Sequence, residues 1–267
     1  MEHNLMVNNP MEKNGQIWSW YELEPGQRRS WRSGQLNLQL MFEQDEILSH
    51  AEYREDDGES CVTGRPDRTD RYITGGAGRI GLLPAMPDRP LVLKPKIPRR
   101  IPPGVQIQLM FFIPVWIQVL LEKKGGNVLL DEYPSVILSS TWFGDMQSGE
   151  LCYTLETELF QNSCSLPEDS NLAACILNIR NNSNSMLEFS RMAVHAEHLT
   201  VFSNGINLYT NEITVDYNGV EQISQLKYSP KGPKCSVPLH KVNGPRDTPS
   251  KSLLKRSFSF IKLLTEM

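Results

Sequence analysis

The chain lacks most of the markers by which enzymes and membrane proteins can be read from sequence. No C-x-x-C pair occurs, and the five cysteines, Cys61, Cys152, Cys164, Cys175 and Cys235, are scattered and odd in number. That spacing argues against zinc ribbons, iron–sulfur clusters and thioredoxin-type redox motifs, and it fits free thiols in a reducing compartment. A basic surplus is missing too: 27 Lys and Arg stand against 31 Asp and Glu, a net charge of −4. Nucleic-acid binders normally carry the opposite bias, so nucleic acid is not an expected partner. The polar N-terminus has no apolar core of the kind a signal peptide needs. The most apolar stretch, Val105 to Leu121, is interrupted by Gln106, Gln108, Pro114 and Gln118. A membrane-spanning helix needs about 20 mostly apolar residues, so this stretch is expected to be two core strands. A soluble, cytoplasmic protein is the expectation.

Helical periodicity is nearly absent as well. What the chain has instead is a two-residue beat. Leu36, Leu38 and Leu40 alternate with Gln35, Asn37 and Gln39, Val105, Ile107 and Leu109 with Gln106 and Gln108, and Ile213 and Val215 with Thr214 and Asp216. Successive strand side chains point to opposite faces, so these runs predict half-buried strands. Asn204-Gly205 and Asn218-Gly219 lie between such runs and mark hairpin turns. The fold class is therefore all-β, mostly antiparallel, with two β-sandwich-like regions and an immunoglobulin-like second region.

The predicted organisation is a loose tail over 1–15, a first β-region over 16–98 and a β-sandwich domain over 99–228. A Pro- and Gly-rich run from Lys94 to Gly104 reads as an extended connector between the two regions. A flexible linker follows over 229–250. The last segment, 251–267, carries Leu254, Phe258 and Ile261 on one stripe with Lys251, Lys255 and Lys262 around it, and predicts a short amphipathic helix.

Four features invite a functional reading. Gly76-Ala77-Gly78-Arg79-Ile80-Gly81 spells the dinucleotide fingerprint, but Pro84, Pro87 and Pro90 follow it, and no helix can start there to meet a pyrophosphate. It reads as a glycine-rich β-loop, and no cofactor is expected. His195 and His198 flank Glu197; on a strand His195 and Glu197 share one face while His198 points away, so no metal site is expected. Asp145 and Glu150 bracket the Ser148-Gly149 turn and are the carboxylates with the nearest claim to catalysis, as an acid–base pair in glycoside cleavage beside Trp142. Trp142 and Phe143 sit next to that turn and are the expected recognition patch, since exposed aromatics anchor interfaces.

Thr141-Trp142-Phe143-Gly144-Asp145, followed by Gly149-Glu150-Leu151-Cys152-Tyr153, resembles a block from an uncharacterised family of prokaryotic β-rich domains of unknown function. Ile113-Pro114-Val115-Trp116 and the run from Leu187 to Phe202 followed by Asn207 to Glu212 are similar to it too. The resemblance implies a bacterial or archaeal protein without an established activity, and it brings no catalytic residues. The leading expectation is thus a non-enzymatic binding or scaffold protein that engages another protein. A sugar-binding or carbohydrate-active protein using Asp145, Glu150 and Trp142 is the first alternative. Membrane contact is expected only through residues 251–267, and nothing in the sequence specifies an oligomeric state.

Overall fold

The computed structural model describes residues 17–22, 24–54, 67–76, 78–144, 146–147, 149–161, 171–219, 225–234 and 237–247. The tail over 1–15 and the helix expected over 251–267 lie outside the described residues. Among the described residues the regular structure is strand, apart from one 3-10 turn at Ala196–His198. The all-β expectation holds, and no described helix is long and apolar enough to cross a membrane. The chain divides into two compact units. One takes the residues up to Leu83 together with Ile117–Ser135, and the other takes Pro84–Trp116 and the residues from Val136 onward.

The first unit contains an antiparallel meander of Arg28–Ser33, Leu36–Glu43, Glu46–Tyr53 and Arg68–Ile73. Its inner face is the one the alternation predicted: Leu36, Leu38 and Leu40 are fully buried while Asn37 and Gln39 are half-exposed. A second sheet has the order Trp20–Glu22, Arg79–Ala85, Trp116–Lys123, Gly126–Pro134. Asp131 ties this sheet to the meander. Its carboxylate accepts hydrogen bonds from the Tyr72 and Tyr133 hydroxyls and pairs with Arg68 at 2.7 Å. Ser49 Oγ lies 2.9 Å from the same Tyr133 hydroxyl. Burial first, then the Asp131 hydrogen bond, pushes the Tyr72 phenol up to about 12. The run that spells a dinucleotide fingerprint opens the strand Arg79–Ala85 rather than a helix. Gly81 has a packing reason to be glycine, because a Cβ there would stand 2.9 Å from the Trp20 indole.

The second unit has a large sheet in which Gln106–Pro114 pairs antiparallel with Leu172–Asn181. Leu172–Asn181 also runs parallel to Leu208–Thr210 and to Ile213–Tyr217. Gln225–Tyr228 extends the sheet beside Ile213–Tyr217. A smaller sheet has the order Ser140–Phe143, Glu150–Thr157, Leu91–Pro95, Met192–Val194. Two sequence expectations change here. The run expected as a connector from Lys94 instead closes a strand, Leu91–Pro95, with bonded neighbours on both edges. Leu91, Val92 and Leu93 are all buried, a run without alternation because both faces are covered. Pro95 is tolerated as the last residue of that strand. Within the segment expected as a linker, His240–Asn243 forms a strand against Val201–Ser203.

Replacing Gly81 by Ala is expected to destabilise the protein by about 1–3 kcal/mol, because the added methyl overpacks against the indole. Urea unfolding measures it, and the loss shrinks in a Trp20→Ala background if the indole is the cause.

Candidate functional site

The small sheet of the second unit begins with a hairpin whose two faces differ in chemistry. Ser140–Phe143 and Glu150–Thr157 pair with Trp142 opposite Leu151 and Phe143 opposite Glu150. Cross-strand partners share a face, and neighbours along a strand do not. Trp142 and Leu151 therefore lie on one face, 54% and 46% exposed, and Phe143, Glu150 and Cys152 lie on the other. Phe143 and Cys152 are buried there in a core cluster with Val92 and Ala193. Arg191 places its guanidinium 5.8 Å from the centre of the Phe143 ring.

The chain that leaves Ala193 builds the rest of the site. Met192–Val194 ends at His195, whose φ of −74° and ψ of 87° turn the backbone into the 3-10 turn Ala196–His198. His198 N–H donates to the His195 carbonyl at 3.2 Å, and Leu199 N–H to the Ala196 carbonyl at 2.9 Å. Ala196 and Leu199 are fully buried, and their three-residue spacing is that of a turn rather than of a strand. Tyr228, at the end of its strand, accepts a hydrogen bond from His195 N–H at 3.1 Å. Asn211 accepts from Thr200 N–H at 2.8 Å and donates to the Ser229 carbonyl at 2.7 Å, which fixes the far end of the turn.

This turn corrects the expectation of a strand through the histidines. His195 and His198 stack with ring centres 5.3 Å apart. His195 Nδ1 lies 2.8 Å from Glu197 Oε1, and its Nε2 lies 3.7 Å from Glu150 Oε1. His198 Nδ1 donates to the Asp247 carbonyl at 3.1 Å, which leaves the lone pair of the neutral ring on Nε2. That Nε2 and Glu197 Oε2 are both buried, and neither has a hydrogen-bond partner among the described residues. One donor atom from each of His195, Glu197 and His198 falls within 4.8 Å of the other two, so these three residues could hold a metal ion.

The electrostatics follow from enclosure. Burial raises the Glu150 carboxyl above its usual range, and the charge of His195 opposes that rise only in part. Burial pulls His195 toward its neutral form, but the hydrogen bond and charge of Glu197, with the charge of Glu150, outweigh it and leave the imidazole pKa raised. Burial pushes the Tyr228 phenol up as well. The Cys152 thiol, on the same strand face as Glu150, is pushed up to about 12 by burial and then by the nearby carboxylates.

Of the residues singled out from sequence, Trp142 is exposed and Phe143 is buried, so the expected aromatic patch keeps one of its two members on the surface. Glu150 is turned toward His195, and Asp145 lies outside the described residues. His195, Glu197 and His198, set aside as a metal group because a strand would send the rings to opposite faces, are brought together by the turn. The available signal was Ala196 and Leu199, whose spacing breaks the two-residue beat of the surrounding strands.

Both free thiols of the described residues, Cys152 and Cys175, are buried with pKa values raised from 9.0 to about 12. Iodoacetamide at mildly alkaline pH is expected to leave both unmodified in the native protein and to label both after unfolding, as peptide mapping by mass spectrometry reads. Raised folded-state values stabilise the fold below pH 9.0, and that contribution is lost as pH climbs toward about 12. Urea midpoints taken across that window are expected to fall.

No curated protein and no solved structure matches the chain significantly. A family's sequence model does, over residues 17–262, a span that takes in the hairpin, the histidine turn and the strands that hold them. The protein belongs to that family, described as "Protein of unknown function (DUF432)".

Proposed function

We propose that the protein is a non-enzymatic binding scaffold of the prokaryotic cytoplasm that docks another protein along the Ser140–Phe143 strand. The observation that carries this reading is the position of Trp142. It stands 54% exposed on the outermost strand of its sheet, directly opposite the 46%-exposed Leu151. An exposed indole beside a half-exposed leucine supplies the large apolar anchor that dominates interface energies. The buried free thiols Cys152 and Cys175 suit a reducing compartment. The sugar-site alternative needs Glu150 beside the indole, and the pairing sets the two on opposite faces of the hairpin.

Trp142→Ala is the direct test, because the indole lies outside the buried core and its loss is expected to leave the thermal midpoint nearly unchanged. Affinity for a co-purifying protein partner is expected to drop about 30-fold or more, the scale of a hot-spot residue worth about 2 kcal/mol. The measurement is titration of that partner against wild type and variant. Equal affinities, with the indole still open to solvent quenchers in the complex, contradict the reading.

A further inference from the structure

We propose that His195, the Glu197 carboxylate and His198 bind one divalent transition-metal ion of the zinc class, with Glu150 orienting His195 from its far nitrogen. The 3-10 turn is what makes this chemistry reachable. It folds three donors from a four-residue stretch to within 4.8 Å of one another. Metal–ligand bonds of about 2.1 Å separate neighbouring donors by roughly 3–3.5 Å, so closure onto an ion needs only a small contraction.

The second observation is independent of that proximity. His198 is 5% exposed, and its Nδ1 is committed to the Asp247 carbonyl at 3.1 Å. A histidine that ligates a metal almost always donates its other nitrogen in this way, because the bond fixes both the tautomer and the ring orientation. The remaining nitrogen, Nε2, is buried and unpartnered among the described residues, and so is Glu197 Oε2. Two buried acceptors facing no donor carry the full cost of desolvation with no compensating bond. A metal cation bound in the turn satisfies acceptors of this kind by taking up their lone pairs.

The charge balance favours the same occupant. Glu197 and Glu150 approach His195 from its two nitrogens, at 2.8 and 3.7 Å, and one imidazole cannot neutralise two carboxylates. Bound through Nδ1, His195 would present Nε2–H to Glu150, the carboxylate–histidine–metal arrangement that orients a ligand from behind. The donor set also states a preference. Two imidazoles and one carboxylate suit zinc, cobalt, nickel or iron, whereas calcium and magnesium are held by oxygen. The ion would lock the turn and the segment it holds, since the Glu197 carbonyl accepts from Arg246 and Asp247 N–H at 2.8 and 3.2 Å.

The test uses the full chain, stripped with a chelator and titrated with Zn²⁺ alone against a chromophoric competitor. One equivalent is expected to bind. His198→Ala and His195→Ala are expected to weaken binding at least 100-fold, Glu197→Gln and Glu150→Gln about tenfold, and the exposed control His240→Gln not at all. Circular dichroism confirms that each variant is folded. Should the histidine variants unfold, imidazole ¹⁵N shifts of the wild-type chain decide the matter, with Zn²⁺ moving the His195 and His198 resonances and not that of His240. The proposal is overturned by the absence of stoichiometric binding or by unmoved His195 and His198 resonances. Affinity that survives His198→Ala and disappears when Cys61, Cys164 and Cys235 are replaced would equally overturn it.

Discussion

The second unit is organised by one ladder, the pairing of Gln106–Pro114 with Leu172–Asn181, which runs unbroken from Leu172 opposite Pro114 to Arg180 opposite Gln106. Every later strand of the large sheet takes its position from the other edge of Leu172–Asn181. Ala173 and Ala174 hold Leu208 and Tyr209, and Leu177 to Asn181 hold Ile213 to Tyr217. Ile213–Tyr217 in turn carries Gln225–Tyr228, whose last residue reaches the His195 amide. The histidine turn is thus located by a chain of backbone hydrogen bonds that begins far from it in sequence. Asn181, fully buried, closes the end of the ladder: its amide donates to the Ile101 and Ser185 carbonyls, and its Oδ1 accepts from Ser183. Buried amides satisfied on all sides fix a single arrangement, since any alternative strands them without partners.

Much of this architecture was legible in the sequence where one face of a strand is dry and the other wet. Leu36, Leu38 and Leu40 announce their strand by alternation, and so do Ile213 and Val215. The legibility fails where a strand is covered on both faces. Leu91-Val92-Leu93 has no beat, and the prolines on either side made it look like a joint between regions rather than the interior of a sheet. Parallel pairing was equally hidden. Glu150–Thr157 lies parallel to Leu91–Pro95 across more than fifty residues of chain, and no local pattern specifies a partner at that distance.

The candidate site was legible in its surface half and not in its buried half. Trp142 and Glu150 could be singled out because they flank a recognisable turn. His195 and His198 could not be joined, because a two-residue repeat projected through them sends the rings to opposite sides. Three residues of 3-10 turn reverse that conclusion, and the turn is imposed by distant contacts from Tyr228, Asn211 and Asp247. Local propensity has little influence over a backbone held at so many points from outside.

The two-faced hairpin restricts how this part of the chain can change. A shift of Ser140–Phe143 by a single position would carry Trp142 into the space of Phe143 and turn Phe143 outward, and the same slip in the facing strand would withdraw Glu150 from His195. Outer and inner surfaces are set by one register and cannot be adjusted separately. Length variation is then confined to the connection between Phe143 and Glu150, where residues can be gained or lost in the loop without disturbing the order of side chains on either strand.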